Sequence, residues 1–209
     1  MAEKIDWQGT LVAIQPRIRL RRSFAGRSHG HLGYVLRVQG TIGGEEREFL
    51  IGVGKAAHTE HQFRAGDVLS GKAQPVTDNK TEPAEFYKTS DLEVVQRAAG
   101  EVPSPPPWLG VPPDLAVYHE RGHLRLDAGT YQNTCINCIW GCRMPVEMLV
   151  NPRDYSQKRY RFETFCYGPK CCSLYKAGPT REVVGCQGMV WKEEDWIDQR
   201  VTAHRREDE

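Results

Sequence analysis

Apolar and polar positions alternate with period two through much of the first hundred residues, which predicts strands rather than helices. Gly9 to Arg22 (GTLVAIQPRIRLRR) is a long β-prone run, bent near Pro16. Within it Ile18 and Leu20 alternate with Arg17, Arg19 and Arg21, giving one apolar and one cationic face. A Gly/Ser/His-rich loop, Phe24 to His31, separates this run from a second strand, Tyr34 to Val38. A turn at Gly43-Gly44 leads to a third strand, Glu48 to Val53. Lys55 to Phe63 has helical composition. Val68 to Ala73 and Glu85 to Val95 read as a fourth and a fifth strand.

The pattern changes after residue 100. Residues 101–113 (EVPSPPPWLGVPP) hold six of the 13 prolines. Such a segment is extended and semi-rigid, and reads as a linker. The alternative is a strap packed on the preceding strands and anchored by Trp108. The chain thus divides into a β unit (1–100), a linker (101–113), a cysteine-rich module (114–190) and an acidic helix or tail (191–209). In the tail Trp191, Trp196, Ile197 and Val201 fit one stripe of a short helix, docked on its own domain or offered to a protein partner. The terminal HRREDE reads as disordered.

Composition narrows the setting. There are 209 residues with net charge +1, so charge alone names no partner. No apolar run reaches the roughly 18 residues of a membrane span. The N-terminal residues MAEKIDWQGT lack the apolar stretch of a signal peptide, which points to the cytoplasm. In a reducing compartment, clustered cysteines more often hold metal than form disulfides.

Six of the seven cysteines lie between 135 and 172: Cys135, Cys138 and Cys142 as C-x2-C-x3-C, and Cys166, Cys171 and Cys172 as C-x4-C-C. Thiolates two residues apart can turn toward one point, as a tetrahedral ion requires. Between the two groups, Pro145 to Val150, the turn residues Asn151 to Asp154 and Lys158 to Phe165 read as a hairpin. The predicted ligands are Cys135, Cys138, Cys166 and either Cys171 or Cys172, with Cys142 as a substitute in the first group. Zn2+ is the expected ion. An iron–sulfur cluster is the alternative, although the spacing matches neither common ferredoxin pattern.

His119-Glu120-Arg121-Gly122-His123 matches HExxH, which on a helix presents two imidazoles and a catalytic base. Gly122 weakens that helix, and the longer HExxHxxGxxH pattern fails at Leu126 and Gly129. A protease is therefore not expected. The two histidines read as surface residues of a turn, or as supplementary metal ligands.

Three strands, a short helix and two strands, with the phrase FRAGDVLSGKA before the fourth strand, resemble the OB-fold superfamily over roughly residues 7–96. The knuckle–hairpin–knuckle order resembles a zinc ribbon, except that its second knuckle is longer than C-x2-C. The resemblances imply a mainly β protein: a five-stranded OB-type barrel followed by a small zinc-ribbon-like module with short helices. OB barrels bind single strands by combining a cationic groove with stacking aromatics. Here Arg17, Arg19, Arg21, Arg22, Arg27 and Arg37 supply charge, and Phe24 and Tyr34 supply rings. Lys158, Arg159 and Arg161 add a second basic segment on the hairpin. The expected function is non-enzymatic binding of RNA or single-stranded DNA, with a structural zinc site, inside a larger complex. A protein–protein adaptor and an iron–sulfur redox or sensor protein are the alternatives.

Overall fold

One strand, β1 (Ile5–Ser23), organises the molecule by pairing with three others along its length. In the computed structural model, residues 3–23, 26–99, 106–151 and 153–206 are described. β1 runs antiparallel to β2 (Gly26–Ile42), from Trp7 opposite Ile42 to Ser23 opposite Gly26. β2 turns at Gly43-Gly44 into β3 (Glu45–Val53), which is followed by α1 (Lys55–His61). β4 (Val68–Pro75) returns beside the start of β1, and β5 (Phe86–Gln96) pairs with β4 and touches β3 at Ile51–Phe86. The order β1-β2-β3-β5-β4-β1 closes a ring of five strands.

The ring closes tightly because its crossing points lack side chains. Gly9 faces Gly40 across β1 and β2. A Cβ on Gly40 would lie 2.2 Å from the Gln8 carbonyl oxygen, so only glycine permits that approach. Inside, Trp7, Phe49 and Phe86 pack edge to face at 6.2 and 6.4 Å between ring centroids.

The second half extends the same sheet. α2 (Leu115–Arg121), a short β6 (Leu124–Arg125), α3 (Ala128–Asn133) and a 3-10 turn (Cys135–Asn137) lead into a hairpin of β7 (Gly141–Asn151) and β8 (Asp154–Cys166). β7 runs parallel to the end of β1, Leu20 opposite Val146 through Ser23 opposite Leu149. One continuous core therefore holds Ile18, Leu20 and Leu36 of the ring together with Cys142, Met144, Val146 and Phe165 of the hairpin. The described end of the Pro-rich segment is pinned against the ring rather than free. Tyr34 Oη donates to the Pro113 carbonyl at 2.8 Å, and His58 Nε2 lies 3.0 Å from that of Pro112.

The sequence expectations for the five strands, the helix after β3 and the hairpin match these elements closely, with three corrections. Residues 26–31 are not a loop: they lengthen β2, because β1 is long enough to pair with them, Arg22 opposite Arg27 and Leu20 opposite His29. Trp191 lies in β10 (Val190–Glu193), paired with β9 (Arg181–Val184), and only Trp196, Ile197 and Val201 belong to α4 (Asp195–Val201). Arg205, expected in a disordered terminus, is buried. Its guanidinium donates to the carbonyls of Arg121, Gly122, Tyr167 and Gly168. Among the described residues, no helix is long and apolar enough to cross a membrane.

Candidate metal centre and basic groove

Four thiols from two distant stretches of chain line one small cavity. Cys135, Cys138, Cys166 and Cys172 wall a space of about 10 Å³, closed by Trp108, Trp140 and Tyr175. That volume admits a single water-sized sphere. The first two thiols sit on the tight turn after α3, where Cys138 N–H donates to the Cys135 carbonyl at 3.1 Å and Gly141 N–H to that of Cys138 at 3.0 Å. Asp127 caps α3 by accepting from Thr130 N–H at 2.8 Å. Cys166 ends β8, and Cys172 sits in a turn whose N–H donates to the Pro169 carbonyl at 3.2 Å.

The turn is held from the ring. Gln15 Nε2 donates to the carbonyls of Cys135 (2.9 Å) and Cys138 (3.0 Å), and Tyr131 Oη donates to Gln15 Oε1 at 2.7 Å. Gly141 makes this possible: a Cβ there would lie 2.4 Å from the Cys135 carbonyl oxygen and 2.7 Å from Gln15 Nε2. Gln15 carried no sequence signal, since a polar residue inside a strand looks like any solvated position.

Burial pushes these thiols toward the neutral form: Cys135 to about 11 and Cys166 to about 12. Backbone N–H groups oppose it. Gly168 N–H donates to Cys166 Sγ at 3.3 Å, and those of Trp140, Trp108 and Gly141 pull Cys138 down against its burial. Amides donating to sulfur orient thiolates and tune their basicity in a metal site. Among the described residues no group of three or more His, Cys, Asp or Glu side chains is placed so that it could hold a metal ion.

The remaining cysteines lie elsewhere. Cys142 is fully buried in the main core and its thiol donates to the Pro16 carbonyl at 3.3 Å, so it does not stand in for either member of the first pair. Period two explains this: the chain alternates faces as it enters β7, and Cys142 falls on the ring side. Cys171 is exposed and does not line the cavity, and Cys186 sits in a separate turn.

Most of the expected cationic face is neutralised. Arg17 is ion-paired with Glu82, Arg19 donates to the Thr81 carbonyl at 2.8 Å, and Arg37 pairs with Glu48 at 2.7 Å. Arg22 does not belong to that face at all. Continuing the alternation Ile18, Leu20 places residue 22 inward, and it is buried between Glu163 and Glu193. Arg27 shares Glu193 at 2.7 Å, Lys158 pairs with Glu147 at 3.1 Å, and Arg161 pairs with Glu163. Tyr34 is a core residue, its ring 4.1 Å from that of His58, and offers no stacking surface. Phe24 lies outside the described residues.

Two of the open cavities are lined by these predicted cations. One of about 310 Å³ opens on the β2–β3 side, lined by Val35, Arg37, Leu50, Tyr131 and Arg143. The other, about 420 Å³, runs between the end of β1 and the hairpin, lined by Arg21, Arg22, Arg27, Lys158, Glu147 and Tyr155 among others. All four cations there are ion-paired, Arg21 (3.7 Å) and Lys158 (3.1 Å) with Glu147, and Arg22 and Arg27 with Glu193. Arg21 is largely exposed, and Tyr155, at 71% exposure, stands at the rim. Arg159 is exposed on the same hairpin. Tyr155 went unnoticed in the sequence because it falls between the expected turn, Asn151 to Asp154, and the expected strand, Lys158 to Phe165.

His119 and His123 do not sit together on one helix. α2 stops at Arg121, Gly122 turns with φ +67°, and His123 is buried rather than on the surface. His123 approaches His29 of β2, and His119 approaches His31.

Searches among protein-family models, curated proteins and solved structures find nothing that matches this chain.

Proposed function

We propose that this chain is a non-enzymatic nucleic-acid-binding protein: an OB-type barrel stiffened by a structural Zn2+ on Cys135, Cys138, Cys166 and Cys172, which binds RNA or single-stranded DNA along the groove between β1 and the β7–β8 hairpin. Four cysteines lining one small cavity, with an amide donating to Cys166 Sγ, support the metal. The ring order with a helix between β3 and β4 supports the barrel. The observation that carries the ligand class is the groove itself, which puts exposed Arg21 and Lys158 beside the exposed ring of Tyr155. Its volume is in the range that holds a nucleotide-sized group. Cations that track a backbone beside a ring on which a base stacks are the elements of single-strand recognition.

A labelled single-stranded oligonucleotide, RNA and DNA in parallel, tests the reading. Binding is expected to weaken as salt rises. It should be lost on Arg21→Glu with Lys158→Glu and be reduced by Tyr155→Ala. Absence of binding by the wild type at low salt would sink it. Elemental analysis tests the ion: one zinc per colourless chain is expected, whereas brown protein containing iron would favour the redox or sensor alternative. A protein–protein adaptor is the second reading, drawn from Trp196, half exposed on the outer side of α4.

A further inference from the structure

A third cavity, of about 250 Å³, adjoins the basic groove at the Ser23–Gly26 end of the β1–β2 ribbon. The cavity and the groove have Arg22, Ser23, Gly26 and Arg27 in common. Its other walls are Val183 of β9, Trp191 of β10, and Ile197 and Arg200 of α4. Val183 and Ile197 are buried and Trp191 is half-buried, so one ring and two aliphatic chains make an apolar side. Arg200 is exposed, its guanidinium 5.2 Å from the ring centroid of Trp196. Among the described residues three guanidiniums line the cavity and no carboxylate does.

Behind this lining the charge does not balance. Arg22, Arg27, Arg161 and Arg181 share only Glu163 and Glu193, so four cations meet two carboxylates. Arg125 forms a separate group with Asp195 and Asp198, whose extra carboxylate falls on the exposed Asp195. A buried cation without a full counter-charge is costly, and an anion in the cavity supplies what is missing. A second observation is independent of the count. Arg22 is 3% exposed, and its Nε has no hydrogen-bond partner among the described residues. A guanidinium N–H can only donate, so this one lacks an acceptor.

We infer that this cavity is a phosphate-monoester site, which takes the terminal phosphate of the bound single strand and packs the last base against Trp191. The inference rests on the single-strand reading above and adds recognition of the strand's end to it. Guanidiniums offer paired N–H donors that match phosphate oxygens. A monoester carries about −1.5 to −2 near pH 7, against about −1 for each internal diester. The end of a strand therefore matches the two uncompensated cations better than its middle does. A ring beside the cations gives the last base a face to stack on. The volume is below the roughly 300–1,000 Å³ of drug-sized pockets, which suits one terminal group rather than a longer stretch of chain.

The experiment compares labelled single strands of one sequence on the full-length protein at fixed salt, with a phosphate monoester on the first nucleotide, on the last, or on neither. One phosphorylated end should bind about tenfold or more tighter than the strand without a monoester, the worth of one charge-assisted hydrogen bond. Arg200→Gln and Trp191→Leu, made singly, should remove that preference and leave the affinity for the unphosphorylated strand as in the wild type. Thermal unfolding checks that each variant folds. Equal affinity for all three strands, or a preference that survives in both variants, overturns the inference while the single-strand reading stands. If no strand binds, that reading fails by itself, and a nucleoside monophosphate then probes the cavity alone. Saturable binding that Arg200→Gln weakens upholds the site, and no binding overturns it.

Discussion

Gln15 in β1 holds the backbone carbonyl of Cys135, 120 positions further along the chain, at 2.9 Å. The same nitrogen reaches the Cys138 carbonyl, so one ring side chain sets the spacing of the first thiol pair. Gln15→Leu removes one of the two donors to each carbonyl, which keep the N–H groups of Cys138 and Gly141, and leaves the buried Tyr131 Oη without its acceptor, at a cost of about 1–3 kcal/mol. Chemical denaturation should show the loss of stability. Zinc affinity should fall by about tenfold to a hundredfold, the usual effect of losing a group that orients a metal ligand. Unchanged zinc affinity would mean that the turn needs no support from the ring.

Adjacent cysteines make a sharp comparison. Cys172 lines the cavity and Cys171 is exposed away from it. Cys172→Ser is expected to abolish stoichiometric zinc and lower the melting temperature, while Cys171→Ser leaves both near wild type. Cys142→Ser should cost stability by placing a hydroxyl in the core without changing the zinc content. Metal analysis of the three variants reads the outcome, and equal loss in the first two would refute the ligand assignment.

Arg22, Glu163 and Glu193 form a buried charged group in which Arg27 and Arg181 also take part. Removing one member of a buried pair typically costs about 3–5 kcal/mol, because its partner stays desolvated and unpaired. Glu193→Gln should therefore destabilise strongly, and Arg22→Met together with Glu193→Leu should recover much of the loss. A double-mutant cycle by urea unfolding checks this. If the effects simply add, the residues are not coupled.

His58 gives the fold an acid-sensitive point. It is 1% exposed, packed at a tilt against Tyr34, and burial lowers its pKa, opposed by the Pro112 carbonyl and by Asp114. A carbonyl only accepts, so Nε2 carries the proton. Nδ1 has no partner among the described residues to receive a second one. The folded state thus takes up this proton less readily than the unfolded chain, where an ordinary histidine titrates near 6.5. Stability contributed by neutral His58 is complete above that value and declines as pH falls below it, by at most about 1.4 kcal/mol per pH unit. His58→Gln should flatten this part of the stability–pH curve measured by thermal unfolding. An identical slope in the variant would assign the effect elsewhere.

Period-two patterning determined the strands and the hairpin, and local composition the helix after β3, because each is specified by neighbours a few residues apart. Cysteine spacing likewise marked Cys135, Cys138 and Cys166 as one group. Pairing distance decided the rest. Only the sheet shows that β7 lies along β1 and merges two expected units into one core. The same is true of Gln15, which reaches across to the thiol turn, and of Arg17, Arg22 and Arg37, each met by a distant carboxylate. His29 and His123 are in the same position. A sequence records which side of its own strand a residue occupies, but the charge or donor that faces it comes from elsewhere in the chain, and that choice exists only once the tertiary structure has formed.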